Sequence, residues 1–291
     1  GLDQVGVIGH YRAASKRRII MRATLFLIPL ALSSAACSSP AEMEQATGVE
    51  NEAAPRALAR ADAAAASAFE DDEERDGGSR EFSYGWPAAV AAESALARML
   101  TAERDRILAQ EKAEWTEALS DSPEDCTPCR NRSFAKEWKV VASTPGYLSL
   151  SGDFSSYTGG AHGMYGLQSL VWDKAKQGAM SGADMFRSPE ALDVALGPRL
   201  CSALNAERAK RRGEPVPAMS EDMFDRCVGT AEATVLVGSS TGKAFDRLGI
   251  WFGPYVAGPY AEGAYELDFP VDAGVLRAVK PEFAAAFAVK R

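Results

Sequence analysis

The pattern of apolar and polar positions divides the chain into segments with different expected structures. Residues 25–32 form a short apolar run, whereas residues 38–80 are rich in Ala and acidic residues and contain no Trp, Tyr, Ile or Cys. A segment of the second kind buries too little apolar surface to offset its ordering entropy. We therefore expect residues 37–80 to be a disordered acidic tether and residues 81–291 to be the folded region.

Helical spacing dominates the start of the folded region. Apolar residues recur on one face between Leu96 and Ile107, which predicts a long helix near residues 87–119. A second helix is predicted to start at Ser188, to break at Gly197 and to end near Arg212, where basic residues precede a glycine.

Alternating patterns predict the strands. Residues 137–143 and 147–154 flank a Pro-Gly turn and predict a β-hairpin. Further strands are predicted near residues 164–173, 231–237, 249–252 and 264–269. Because short hairpins outnumber regular crossovers, the predicted fold class is α+β, with mostly antiparallel sheets and covering helices. Two sub-domains, about 81–175 and 176–291, are compatible with this pattern.

Residues 21–36 have the order of a secretory signal: a basic start, an apolar core and small residues before Cys37. The arrangement resembles a bacterial lipoprotein signal, in which the cysteine is acylated. It implies an outer-membrane lipoprotein that faces the periplasm, since Ser38 rather than Asp follows. Cleavage that leaves a free Cys37 and a soluble periplasmic protein is the alternative. Residues 1–20 are interpreted as an upstream artefact or an extended basic region.

The charge of the chain argues against nucleic acid as a partner. The net charge is −8, and it becomes −12 when residues 1–36 are removed. Nucleic acid binding requires clustered positive charge. An acidic chain is compatible with a basic protein partner, although acidity also serves solubility.

Four cysteines follow the signal segment, and an even number in an exported protein predicts two disulfides. Sequence proximity favours Cys126–Cys129 and Cys201–Cys227 over the other two pairings. The C-x-x-C spacing of the first pair leaves a redox or zinc site as alternatives. Its loop-like surroundings favour a structural bond.

The candidates for catalysis are weak. His162 is the single histidine after the signal segment, and Ser155, Ser156 and Asp153 lie within ten residues of it. Catalytic triads normally combine residues from separate segments, and no G-x-S-x-G elbow is present. A carboxylate pair such as Glu262 and Glu266 is the other enzymatic possibility. We predict no cofactor and no metal site, because one histidine is too few for a typical zinc centre.

Two Gly-rich aromatic segments carry a family resemblance. Residues 157–163 contain consecutive glycines before His162, and residues 252–263 contain the sequence Gly-Pro-Tyr twice. In this order they resemble a bacterial envelope domain family of unknown function. Its members include the lysozyme-binding extracytoplasmic domain of the anti-sigma-V factor and the non-catalytic N-terminal domain of a peptidoglycan deacetylase. The resemblance covers about residues 81–285.

The resemblance implies a non-enzymatic domain that binds a cell-wall-related ligand, either a lysozyme-like protein or peptidoglycan. The alternatives are an envelope hydrolase that uses His162 or a carboxylate pair, and a structural envelope protein. Exposed aromatic residues on a rigid loop make good binding anchors, whereas a buried aromatic corner is the other interpretation of residues 251–263. The candidate binding surface consists of Tyr157, His162, Trp251, Phe252, Tyr255, Tyr260 and Glu262.

Overall fold

The computed structural model of the chain describes residues 65–217 and 219–290. The strands are β1 (Ala65–Glu70), β2 (Glu73–Arg75), β3 (Gly78–Pro87), β4 (Arg132–Ser143), β5 (Tyr147–Tyr157), β6 (Met164–Asp173), β7 (Gly178–Met180), β8 (Thr234–Gly238), β9 (Arg247–Phe252) and β10 (Tyr265–Pro270). The α-helices are α1 (Ala88–Ala91), α2 (Ser94–Asp121), α3 (Thr127–Arg130), α4 (Pro189–Leu196), α5 (Pro198–Arg212) and α6 (Ala273–Ala278). The predicted α+β class is confirmed.

Sheet 1 contains β1 to β7 in the order β1-β3-β4-β5-β6-β7, and β2 also pairs with β3. All its pairings are antiparallel except β3 with β4. The parallel pair arises because the chain returns through α2 rather than through a hairpin, as a parallel connection requires. Since β7 completes this sheet beside β6, a boundary near residue 175 does not separate the two sheets.

One face of sheet 1 packs against α2. Alternate residues of a strand point to the same face, so each strand contributes every second side chain to this first core. The core residues from α2 are Leu96 and Leu100. The strands contribute Phe82, Tyr84, Trp86, Trp138, Val140, Leu148, Leu150, Leu170 and Trp172. Each such side chain stabilises the fold by roughly 1.5–3 kcal/mol when it leaves water.

Sheet 2 contains β8, β9 and β10, all antiparallel, and forms a second core with α4, α5 and α6. Its opposite face meets sheet 1 in a small apolar contact. Val141 and Leu167 of sheet 1 pack there against Leu236 of β8, with Trp251 beside them. This contact places the end of sheet 2 over only part of sheet 1, and the rest of that face stays open.

Helix boundaries follow local signals closely. The Ser188 hydroxyl accepts a hydrogen bond from the backbone N–H of Ala191, so Ser188 caps α4 as predicted. Gly213 ends α5 with φ 76°, the left-handed conformation that favours glycine. The predicted helix near 87–119 is two helices, because the helical conformation is interrupted between Ala91 and Ser94.

The expected tether was wrong for residues 65–80, where β1, β2 and the start of β3 lie. Their acidic residue Asp71 has two cationic partners, one of them distant in sequence. Asp71 pairs with the buried Arg80 and, at 2.8 Å, with Lys112 of α2. The Phe69 ring lies 4.2 Å below the Arg104 guanidinium carbon. The predictions for residues 1–64, including the signal segment and Cys37, concern the part of the chain outside the described residues.

The cysteines agree with the predicted pairing in one case. The structure contains the Cys126–Cys129 disulfide, with a Cα–Cα distance of 5.3 Å. Cys201 and Cys227 are free thiols, so the predicted Cys201–Cys227 bond is absent from the structure. Burial and a hydrogen bond to Cys201 raise the pKa of Cys227 to about 12. This hydrogen bond shows that the two thiols are neighbours in space, although no bond joins them.

Glu111 gives a pH-dependent prediction. This α2 residue is nearly buried, and the burial, followed by the neighbouring Glu114, raises its carboxyl pKa. The folded state therefore favours the protonated acid. The contribution of Glu111 to the free energy of unfolding falls as pH rises above about 4.5, the pKa of this carboxyl in the unfolded chain. We expect Glu111→Gln to increase the free energy of unfolding at pH 8, with the difference closing toward pH 4.

Urea unfolding at both pH values tests this, and Glu117→Gln on the exposed face of α2 is the control. A difference of the same size at both pH values, or one that shrinks as pH rises, would contradict the prediction.

Within the described residues, no helix combines the length and apolar character that crossing a bilayer requires.

Candidate binding groove

The open part of sheet 1 forms the floor of a groove of about 690 Å³. This is the face opposite α2, so the floor carries the strand residues that alternate with the first core. Its floor residues are Ser83, Gly85, Ala135, Glu137, Asp153, Ser155 and Tyr165. Most are small, and their size leaves the space that larger residues would fill. The volume falls within the roughly 300–1,000 Å³ typical of small-molecule sites.

Sheet 2 supplies one wall of the groove. Trp251 of β9 lies directly opposite Glu266 of β10 in the antiparallel register, so both side chains are on the same face of sheet 2. That face is turned toward sheet 1, because Trp251 also contacts the apolar junction between the sheets. An indole ring and a carboxylate therefore stand side by side at the edge of the groove.

Carboxylates dominate the charge of the groove. Glu70, Glu137, Asp153 and Glu266 line it. A second depression of about 380 Å³ shares Glu70, Ser83, Ala135 and Ser155 with the groove and adds Asp72 and Glu81. The two depressions together form one acidic channel across β1, β3, β4 and β5.

Of the two lysines near the channel, only Lys139 pairs with its carboxylates. Lys139 forms ion pairs of 3.4 Å with both Glu137 and Asp153. Lys136 is among the residues that line the groove, but its ammonium group is on the α2 side, where it donates to Glu103 and Gln168. Burial lowers the pKa of Lys136, and the hydrogen bond to Glu103 acts in the opposite direction.

An aromatic cluster lies next to the groove and joins the two Gly-rich segments. The imidazole of His162 stacks on the Tyr260 ring with centroids 4.0 Å apart, and its Nε2 lies 3.4 Å from the Tyr255 hydroxyl. The Tyr260 hydroxyl donates to the Gly163 carbonyl at 2.8 Å. Segments about 90 residues apart in sequence thus meet in space. We call His162, Tyr255 and Tyr260 the aromatic cluster.

Tyr165 connects the cluster to the groove. Its ring meets Tyr260 edge-on at a centroid distance of 6.2 Å, and its hydroxyl accepts a hydrogen bond from the Ala264 N–H at 2.9 Å. Both Tyr165 and Ala264 line the groove. The cluster and the groove therefore form one continuous surface.

Tyr255 has the most unusual conformation on this surface. It is 48% exposed and has φ 68°, a left-handed backbone that is costly for a bulky residue. Outliers of this kind concentrate at functional sites. The consecutive glycines Gly159 and Gly160 before His162 also have positive φ, a conformation that glycine adopts readily.

Three of the predicted binding residues have structural roles. Phe252 is completely buried in the second core. Glu262 accepts hydrogen bonds from the Tyr265 hydroxyl and, at 2.8 and 3.1 Å, from the Arg212 guanidinium. The hydroxyl of Tyr157 donates to the Gly160 carbonyl at 3.0 Å and supports the turn. These contacts hold the loops that carry the aromatic cluster.

Sequence reasoning missed most of the groove. Glu137 and Asp153 face each other across β4 and β5, a register that becomes visible only when the strands are paired. A partial signal was present in the alternation, because Glu137 precedes the core residue Trp138 in the predicted hairpin and therefore points to the opposite face. The triad considered around His162 has no support in the geometry, since Gly163 and Tyr255 engage its two ring nitrogens.

Within residues 65–217 and 219–290, no group of three or more His, Cys, Asp or Glu side chains is arranged to hold a metal ion.

The groove floor lies in a segment that is similar to a known protein family. Residues 73–165 match the family described as Deacetylase PdaC. The match runs from β2 to the first residues of β6 and supports a bacterial domain of the PdaC type in this part of the chain. It agrees with the resemblance to the N-terminal domain of a peptidoglycan deacetylase. The resemblance to the anti-sigma-V factor stays a prediction.

Two solved structures show a distant likeness. A DUF3298 family protein from Pseudomonas aeruginosa PAO1 is 16% identical, with 77% of this chain and 96% of that chain covered and a TM-score of 0.45. A member of the DUF3298 family from Bacteroides fragilis is 14% identical, with 72% and 91% covered and a TM-score of 0.36. No curated protein matches the chain significantly.

Proposed function

We propose that this domain is a non-catalytic binding module of the bacterial envelope whose groove holds a cell-wall glycan. The observation that carries the proposal is the open groove, lined by Trp251, Tyr165 and carboxylates. Aromatic rings present flat apolar faces on which sugar rings stack, and carboxylates accept hydrogen bonds from sugar hydroxyls. Shape and chemistry thus fit a polyhydroxylated chain better than an apolar ligand.

The family match also supports a role at the cell wall. The matched family carries the name of a deacetylase, and the resemblance on which we based the sequence prediction places such a domain beside cell-wall chemistry. Under this proposal the domain holds the polymer while another protein or domain performs any reaction. Acylation of Cys37 would keep the domain near the cell wall on the periplasmic face of the outer membrane.

A basic protein such as lysozyme is the competing ligand, because the acidic channel would also attract it. Two surfaces separate the candidates. A glycan in the groove depends on Trp251 and on the open floor, whereas a protein that docks beside the groove would use the exposed Tyr255 as an anchor.

We expect Trp251→Ala to weaken glycan binding about tenfold, equivalent to about 1.4 kcal/mol. The reason is loss of the only indole face that lines the groove within the described residues. Isothermal titration with glycan strands released from purified peptidoglycan measures the change. Circular dichroism checks the fold, because Trp251 also packs at the junction between the sheets.

Ala135→Leu provides a second test that removes no packed group. This floor residue is half-buried, and a larger side chain there fills the groove. Tyr255→Ala and the exposed Val194→Ala on α4 are the controls for the aromatic cluster and for a distant surface. Unchanged glycan affinity in both groove variants would refute the proposal, and loss of lysozyme binding in Tyr255→Ala alone would favour the protein ligand.

A further inference from the structure

The acidic channel carries more negative charge than its own residues compensate. Six carboxylates line the two depressions: Glu70, Asp72, Glu81, Glu137, Asp153 and Glu266. Lys139 is shared between Glu137 and Asp153. In the described part of the chain, neither Glu70 nor Glu266 has a Lys or Arg nitrogen within the 4.0 Å of an ion pair. A neutral sugar polymer would leave this charge unbalanced.

The position of Glu266 indicates what would balance it. Directly opposite residues on neighbouring strands have Cβ atoms about 4.5–5.5 Å apart, so the Glu266 carboxylate and the Trp251 indole can contact one small ring together. A sugar ring that stacks on the Trp251 indole would place one of its substituents next to the Glu266 carboxylate. An ammonium substituent offers three donors and a positive charge to that oxygen pair.

We propose that the groove selects glycan whose amino sugars carry unblocked, protonated amines, that is, de-N-acetylated glucosamine units. This inference rests on the proposed glycan-binding function and adds the chemical class of the preferred sugar. Removal of the acetyl group converts a neutral amide into a cation, and that cation meets a channel with a surplus of carboxylates. The acetylated sugar keeps the stacking contact and loses the charge-assisted hydrogen bond.

The test compares two oligosaccharides of equal length, one of glucosamine and one of N-acetylglucosamine, by isothermal titration with the full protein at pH 6. We expect the glucosamine oligomer to bind at least tenfold more tightly at low salt and the preference to decrease as salt is added. Glu266→Gln, which keeps the shape of the side chain, should reduce the preference to about threefold or less. Glu282→Gln, an exposed change near the carboxyl end of the chain, should leave it intact.

Each outcome has a separate meaning. Equal binding of the two oligomers overturns the amine preference and leaves the proposed glycan binding in place. Absence of binding by both overturns the glycan function as well. A third titration uses a short lysine-containing cell-wall peptide without sugar. If the peptide alone shows the dependence on Glu266, the amine belongs to the peptide and the assignment to the sugar is wrong.

Discussion

Replacing Arg130 with Met is expected to lower the free energy of unfolding by about 3 kcal/mol. Arg130 is 4% exposed and donates only to backbone carbonyls: to Asp76 at 3.0 and 2.6 Å, to Leu119 at 3.1 Å and to Ser122 at 2.7 Å. Leu119 and Ser122 belong to the end of α2, where carbonyls lack helical partners. The guanidinium also places positive charge at the negative end of the helix dipole.

Methionine fills a similar volume and cannot donate, so the three carbonyls lose their partner. The substitution would also disturb Trp115, because the indole Nε1 of this residue donates to the Arg130 backbone carbonyl at 2.9 Å. Lysine keeps the charge without the planar fork, and we expect Arg130→Lys to fall between the wild type and Arg130→Met.

Equilibrium unfolding in urea measures these differences. Arg98→Met is the matched control, because Arg98 is an exposed arginine of α2, and its effect should stay within about 0.5 kcal/mol. If Arg130→Met and Arg98→Met unfold at the same urea concentration, the carbonyl cluster does not stabilise the fold as argued.

The second large effect is expected at Gly182, between β7 and α4. Its N–H donates to the Ser169 hydroxyl of β6 at 3.0 Å, and a Cβ at this position would lie 2.2 Å from the Val235 carbonyl oxygen of β8. Since Ser169 is in sheet 1 and Val235 in sheet 2, the glycine lies where the sheets meet. We expect Gly182→Ala to cost about 2 kcal/mol by forcing these backbones apart.

Gly178→Ala is the control for this change. It lies four residues earlier, and its Cβ would have no atom within 4 Å. Its stability should therefore equal or slightly exceed that of the wild type. Thermal unfolding of the three proteins decides the matter, and equal midpoints for the two variants would show that the close approach is not required. Because the junction also positions Trp251, we expect Gly182→Ala to weaken glycan binding.

Local signals explain the parts of the fold that sequence reasoning predicted well. Strand β6 has the predicted bounds, and α4 and α5 begin and end at the capping residues that define them. Caps, turns and alternation act within a few residues, so they are visible without tertiary information. The aromatic cluster was also anticipated in part, because His162, Tyr255 and Tyr260 belong to segments whose glycines and aromatics are unusual.

Long-range pairing explains the failures. Asp71 and its neighbours look like a solvated acidic run until Arg80 and Lys112 are placed beside them. The carboxyl-terminal segment forms only a short 3-10 helix, Pro281–Ala286, followed by Phe287, whose ring packs into the second core. In both places, a contact with a distant residue outweighs the local preference.

The amino-acid sequence by itself determined the α+β class, most element positions and the acidic character of the chain, because periodicity, capping and charge are properties of neighbouring residues. Only the tertiary structure decided where the acids gather, since the register of β4 with β5 and the placement of sheet 2 bring together residues that are far apart in sequence. The groove is a product of packing: small residues on an uncovered sheet face create its space, and the second sheet supplies its wall.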